Sequence, residues 1–129
     1  MDRHHVAEQL FDLFFFLKKS LARYAAHHAK MEYSPMQMHV LHTMLDRNTF
    51  TMTELAGEVL ISKQQLTPII DKLVNSGLVR RETDEADRRV VRICLSPAGR
   101  DFLALKIQEA IGIFETRIAC LDTGDLRRL

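Results

Sequence analysis

Apolar residues recur at helical spacing in five stretches of the chain, and two short segments between the fourth and fifth alternate at the period of a strand. The first helix is expected over residues 2–30, with Leu10, Phe14, Leu17, Leu21 and Tyr24 on one stripe. Phe11, Leu13, Phe15 and Phe16 widen that stripe past a single face. Such a helix is about 42 Å long, whereas a domain of this size has a radius of gyration of about 14 Å. It should therefore overhang its own domain, and its two apolar faces call for a second partner.

A second helix is expected over 35–46, with Met38, Leu41, Met44 and Leu45 inward. A short one follows over 52–59, resting on Leu55 and Val59, with Ala56 small enough for a close helix approach. The fourth, over 63–75, turns Leu66, Ile70, Leu73 and Val74 to the core and stops at Gly77, a residue suited to a left-handed cap. Helix starts are marked by Ser34-Pro35-Met36-Gln37, Thr51-Met52-Thr53-Glu54, Ser62-Lys63-Gln64-Gln65 and Ser96-Pro97. In each, a side-chain oxygen can satisfy an amide left free in the first turn. Segments 78–83 and 90–95 then read as strands around the charged loop Asp84-Glu85-Ala86-Asp87-Arg88-Arg89, a β-hairpin. The last helix, 97–121, carries Leu103, Ile107, Ala110, Phe114, Ile118 and Leu121 on one stripe. Phe102, Leu105 and Ile113 form a second stripe. The fold class is mainly α with a small hairpin: a winged helix-turn-helix flanked by long terminal helices.

Composition narrows the class. With 129 residues, 47% hydrophobic and 27% charged, the chain reads as a single folded domain, not a disordered one. The longest apolar run, Leu13 to Leu17, is far too short to span a bilayer. Two cysteines make no disulfide framework, so a reducing, cytoplasmic setting is expected. A net charge of +1 hides a local excess: residues 62–100 hold eight basic and five acidic side chains. One polyanion-facing surface on a neutral body has that pattern.

Shape and charge together point to duplex DNA. A 13-residue helix is about 20 Å long and fits the major groove. Its amide-bearing N-terminus, capped by Ser62, attracts phosphate. Lys63, Gln64, Gln65, Thr67 and Asp71 fall on exposed faces. Gln can pair bidentately with adenine, Lys can reach guanine or phosphate, and the Thr methyl can meet a thymine methyl. Arg88 and Arg89 at the hairpin tip can enter a minor groove or clamp phosphates. Pro68, inside the helix, removes a backbone hydrogen bond, and either a tolerated bend or a helix shaped to the groove would accommodate it.

At these residues the sequence resembles the MarR (multiple antibiotic resistance) family of bacterial regulators. Thr53-Glu54-Leu55-Ala56 matches the family's helix opening, and Leu66-Thr67-Pro68-Ile69-Ile70-Asp71-Lys72-Leu73 with Gly77-Leu78-Val79 its recognition helix and exit. Asp87-Arg88-Arg89 followed by Leu95-Ser96-Pro97-Ala98-Gly99 matches its wing signature. The resemblance covers residues 34–99. It implies a homodimer joined through the helices of 1–33 and 100–129, and a near-palindromic double-stranded operator. It also implies repression relieved by a small apolar or phenolic effector. Asp87 should orient a neighbouring Arg, and Arg89 should be the principal wing contact. The family's last helix is barely begun in residues 122–129. Leu66-Thr67-Pro68 is similar to the branch that senses organic peroxides, but Phe14, Phe15 and Phe16 stand where that branch carries its reactive Cys.

Other chemistry is weaker. Cys94 alternates with Ile93 and Leu95 and should point away from the core, with Arg92 on its face; Cys120 lies late in the last helix. Both are expected to be ordinary thiols. His39 and His42 share a helix face, and His27 adjoins His28, yet no third and fourth ligand suggests itself, so no metal is expected. Met36, Met38, Met44 and the Phe-rich helix suit either core or an effector pocket. The chain contains no nucleophile elbow, phosphate loop or metalloprotease motif, so neither an enzyme nor a cofactor is expected. The competing class is a winged-helix module that binds a protein partner and not DNA.

Overall fold

The computed structural model describes residues 2–27 and 32–121. Expectations placed on the helix end at Lys30, on the side chains of Tyr24, His27, His28, Ile118, Cys120 and Leu121, and on residues 122–129 fall outside that description. The elements are α1 (Arg3–His27), α2 (Pro35–Thr43), β1 (Phe50–Thr51), α3 (Met52–Val59), α4 (Lys63–Asn75), β2 (Val79–Thr83), β3 (Val91–Leu95) and α5 (Pro97–Leu121). The chain divides into two compact units, Tyr33–Ile111 and a second formed by Met1–Glu32 with Gly112–Leu129.

In the Tyr33–Ile111 unit the caps form where the sequence signals them. Ser34, Thr51 and Ser62 each accept from the third helical amide, while Gln37, Glu54 and Gln65 reach back to the cap amide. Glu54 also meets Arg47 at 2.8 Å. Its carboxyl is held below the usual range, first by the Thr51 hydrogen bonds and then by Arg47. Helix α4 ends in a Schellman motif. Gly77 takes φ 79, its amide donates to Val74, and the Leu78 amide donates to Leu73. The helix continues through Pro68, which leaves the Gln64 carbonyl without the usual amide donor four residues on.

One apolar cluster fills this unit. Val40, Leu41, Leu55, Leu66, Ile70, Leu73 and Ile93 are fully buried, joined by Met44, Phe50, Val79 and Leu103. Each core face read from the 3.6-residue period is inside, with one exception. The α-helical part of the second helix stops at Thr43, and a 3-10 turn over Met44–Asp46 follows. The tighter turn rotates the next positions, so Met44 is buried while Leu45 is 37% exposed and not inward as expected.

The hairpin carries a third strand. Strand order is β1-β3-β2, all antiparallel, with Phe50 opposite Ile93 and Val79 opposite Leu95. Two residues are too few to show a period, so β1 exists by pairing with β3. At the start of α5 the Ser96 amide donates to the Leu78 carbonyl at 3.0 Å. The Ser96 hydroxyl accepts from the Gly99 amide at 2.9 Å and donates to the Gly77 carbonyl. The exit of α4 and the entry of α5 are thereby stitched together.

In the other unit α1 covers Ser20 and half-covers Phe16 and Leu17. Its most apolar side chains are outward: Leu10, Phe11, Phe14, Phe15 and Leu21 are all exposed. Phe11 and Phe15 lie 4.7 Å apart between centroids with their planes tilted by 59°, and Phe14 meets Phe15 edge-on at 6.0 Å. Among the described residues no helix is long and apolar enough to cross a membrane.

Candidate nucleic-acid interface

Helix α4 buries Leu66, Ile70 and Leu73 and leaves its N-terminal turn in solvent. Of the side chains expected to read DNA, three are already engaged by the backbone. The Ser62 hydroxyl accepts from the Gln65 amide at 3.0 Å. The Gln65 side-chain Oε1 accepts from the Ser62 amide at 3.0 Å. The Thr67 hydroxyl donates to the Lys63 carbonyl at 2.8 Å, which spends its proton and leaves its methyl and its oxygen lone pairs able to meet a base. Lys63 and Gln64 are exposed and take no part in the cap. The capping box therefore divides the tetrad: Ser62 and Gln65 shape the helix start, and Lys63 and Gln64 are presented by it.

Asp71, on the same helix, is not a lone acid. It pairs with Arg81 of β2, tying the helix to the hairpin. A bare carboxylate here would repel phosphate, and the guanidinium neutralises it. Arg81 was not singled out from the sequence; nothing in residue spacing links two positions on different elements.

The hairpin tip is built from two aspartates. Asp84 accepts from the Ala86 amide at 2.9 Å and from Arg92 Nε at 3.2 Å. Asp87 accepts from the Arg89 amide and from Arg89 Nε, both at 3.1 Å. Each folds the chain over itself in an Asx turn. These hydrogen bonds hold both carboxyls below the ordinary carboxylate range, with the Ala86 amide the largest cause for Asp84 and the Arg89 side chain for Asp87. Arg89 is thus oriented by Asp87 while its side chain stays 91% exposed. Arg88 is exposed beside it. Asp84 is a site-shaping residue that the sequence reading passed over; its spacing of two from a small residue in a charged loop was the available signal.

Cys94 lies opposite Arg80 and on the sheet face away from Ile93 and Leu95, as expected from alternation. It is nevertheless buried, and that burial pushes its thiol pKa up. Arg92 is engaged by Asp84. Both observations work against a reactive thiolate. His39 and His42 are exposed, and no group of three potential metal ligands occurs among the described residues.

Similar proteins are named as transcriptional regulators. The MarR family model, described as "MarR family", matches residues 33–91. An uncharacterized HTH-type transcriptional regulator of Bacillus subtilis, YsmB, is 37% identical over 78 residues, which is 60% of this chain and 51% of that protein. The chain thus spans about half the length of this curated relative. A probable transcriptional regulator from Pseudomonas aeruginosa superposes with a TM-score of 0.64 at 26% identity, covering 81% of each chain. A MepR variant from S. aureus, bound to an oligodeoxyribonucleotide, superposes at 0.71 with 15% identity over 83% of this chain and 80% of that one. The likeness to MepR is one of fold alone. Over residues 33–91, which hold the capped helix pair with β1 and β2, the chain is similar to the MarR family, and β3 completes the three-stranded sheet at the edge of that match.

Proposed function

We propose that the protein is a homodimeric, sequence-specific DNA-binding regulator of transcription and not an enzyme. Its action is repression relieved by a small apolar or phenolic effector. One observation carries the DNA reading: the capping box of α4 presents Lys63 and Gln64 outward on the same unit as an Asp87-held, solvent-projecting Arg89. Lys63 and Gln64 enter the major groove, where Gln64 pairs with adenine and Lys63 takes guanine or phosphate. The Thr67 methyl lies beside a thymine. Arg89, with Arg88, takes the minor groove or its phosphates. Ser62, Gln65 and Asp87 act by positioning these groups.

Dimerisation rests on α1. Leu10, Phe11 and Phe14 are each about three-fifths exposed, and Leu105 and Ile111 of α5 are open too. An apolar surface of this kind on a single chain marks an association site. A twofold axis would set two α4 helices about 34 Å apart on a near-palindromic operator. The family's habit of binding small apolar molecules supports the effector reading. The domain limits that follow are 34–99 for DNA and the flanking segments for the dimer.

The test is selection of duplexes from a random library by the purified chain, followed by anisotropy titrations at several salt concentrations. Arg89→Ala should weaken binding evenly across sequences and reduce the salt slope by about 1. Gln64→Ala should relax one base position, at a cost of about 1–3 kcal/mol. A chain that stays dimeric yet enriches no duplex at low salt would be a protein-interaction module, and the DNA reading would be wrong.

A further inference from the structure

Helix α3 ends on Leu60, which adopts φ 64 and ψ 42. Among the described residues it alone, glycine aside, has positive φ. That left-handed conformation is unfavourable for a side chain with a Cβ, and glycine or asparagine is the usual occupant. Leu60 is also 88% exposed, the most exposed large apolar residue among those described. Its neighbours are not: Val59 is buried, and Ile61 packs against the core. The turn is therefore pinned on both sides of a leucine that is strained in its backbone and unburied in its side chain. The turn closes the end of α3, with the Leu60 amide and the Ile61 amide (3.1 Å) both donating to the Ala56 carbonyl, but nothing within the unit covers the Leu60 side chain.

Its location says where that cover comes from. Two peptide units separate Leu60 from Ser62, so its Cα lies within about 8 Å of the α4 cap. Lys63 and Gln64 follow at once. An α4 docked in the major groove carries Leu60 to the groove wall. The apolar surfaces available there are thymine C5-methyl groups and the carbon edges of deoxyribose. We propose that Leu60 is a further DNA-contacting residue, its side chain packing on the apolar surface of the duplex beside the α4 N-terminus. This rests on the DNA-binding reading above and adds to it a contact made without charge or hydrogen bond.

The experiment compares wild type with Leu60→Asn, Leu60→Gly and Leu60→Met on the duplex that wild type selects. Asn and Gly tolerate the left-handed turn but lack the apolar group; Met keeps it. Asn and Gly should each lose about 4- to 30-fold in affinity. Their salt slopes should match wild type, because an apolar contact releases no counterions. Met should retain affinity. The melting temperature of Leu60→Gly should equal or exceed that of wild type, and all variants should remain dimers. Replacing single thymines by deoxyuridine separates the two surfaces. A position where the change weakens wild type but not Leu60→Asn assigns the methyl; its absence, with affinity still lost in Asn and Gly, assigns the deoxyribose. Undiminished affinity in Leu60→Asn, alongside normal wild-type binding, would overturn this contact and leave the DNA reading intact. So would an equal loss in Leu60→Met, or dissociation of the Asn dimer, which would make Leu60 a protein contact. Failure of wild type to bind any duplex would overturn both.

Discussion

Gly99→Ala tests the stitching of α4 to α5. A Cβ at Gly99 would overlap the Leu78 carbonyl oxygen and come within 2.9 Å of its carbon and 3.2 Å of the Leu78 Cα. The obstacle is backbone, so no rotamer change relieves it. The same carbonyl accepts the Ser96 amide at 3.0 Å, and Ser96 accepts the Gly99 amide at 2.9 Å. Pushing the strands of this contact apart costs about 1–3 kcal/mol for overpacking. A weakened hydrogen bond adds about 0.5–1.5 kcal/mol. The better helix propensity of alanine returns less than about 1 kcal/mol. A net loss of about 2–3 kcal/mol follows, or roughly 10 °C in Tm for a chain of this length. Gly57 is the internal control. It lies inside α3, and a Cβ there meets nothing within 4 Å. Gly57→Ala should therefore stabilise by about 0.5–1 kcal/mol. Both variants and wild type would be unfolded in urea and by heat at one protein concentration, because the proposed dimerisation would couple stability to concentration. A Gly99→Ala variant within about 0.5 kcal/mol of wild type, or one more stable than Gly57→Ala, would refute the close-approach argument.

Other expectations follow from the same geometry. Ser62→Ala should lower stability by about 0.5–2 kcal/mol in urea unfolding, because it removes the acceptor for the Gln65 amide. If α1 carries the proposed dimer, Phe14→Asp should shift the chain to monomer in analytical ultracentrifugation, since that ring is exposed on the apolar face of α1. Asp84 and Asp87 have carboxyls depressed by folding. Their contribution to wing order is therefore complete above the unfolded carboxylate pKa of about 3.9 and is lost as pH falls through the lower folded values. Wing amide resonances should hold steady from pH 7 to about pH 5 and collapse well below pH 4. A collapse centred between pH 5 and 6 would point to a histidine instead. Asp87→Asn should mimic the acid state at neutral pH and weaken DNA binding less than Arg89→Ala does.

How far the sequence carried is clearest at α4. Its cap, its buried face and its glycine stop are all local: a hydroxyl three residues before an amide, a 3.6-residue period, and one residue free of a Cβ. Such features act between near neighbours, so the chain alone specifies them. The Asp87–Arg89 pair is local too, two residues apart, but it was expected only from the family resemblance; for α1 the periodicity indicated two apolar faces, not that Leu10, Phe14 and Leu21 of the main stripe would be exposed. Leu45 was misplaced because a 3-10 turn changes the rotation per residue, and its onset depends on what the helix end packs against. Strand β1 was invisible because its two residues have no pattern until β3 lies beside them. The capping-box spacing marked Gln65 as the residue that reaches back to its cap, yet the sequence reading also counted it with Gln64 among the DNA contacts, and only the folded helix separates the two roles.

What the residues determined by themselves was the order of elements, their caps and the apolar faces, because those depend on interactions spanning a few peptide bonds. Only the folded chain decided that Asp71 meets Arg81, that Cys94 is covered although it faces away from the core, and that Gly99 sits against the Leu78 carbonyl. Each of those joins positions separated by a turn or a strand, where burial and charge depend on what else is packed there, and periodicity carries no record of it.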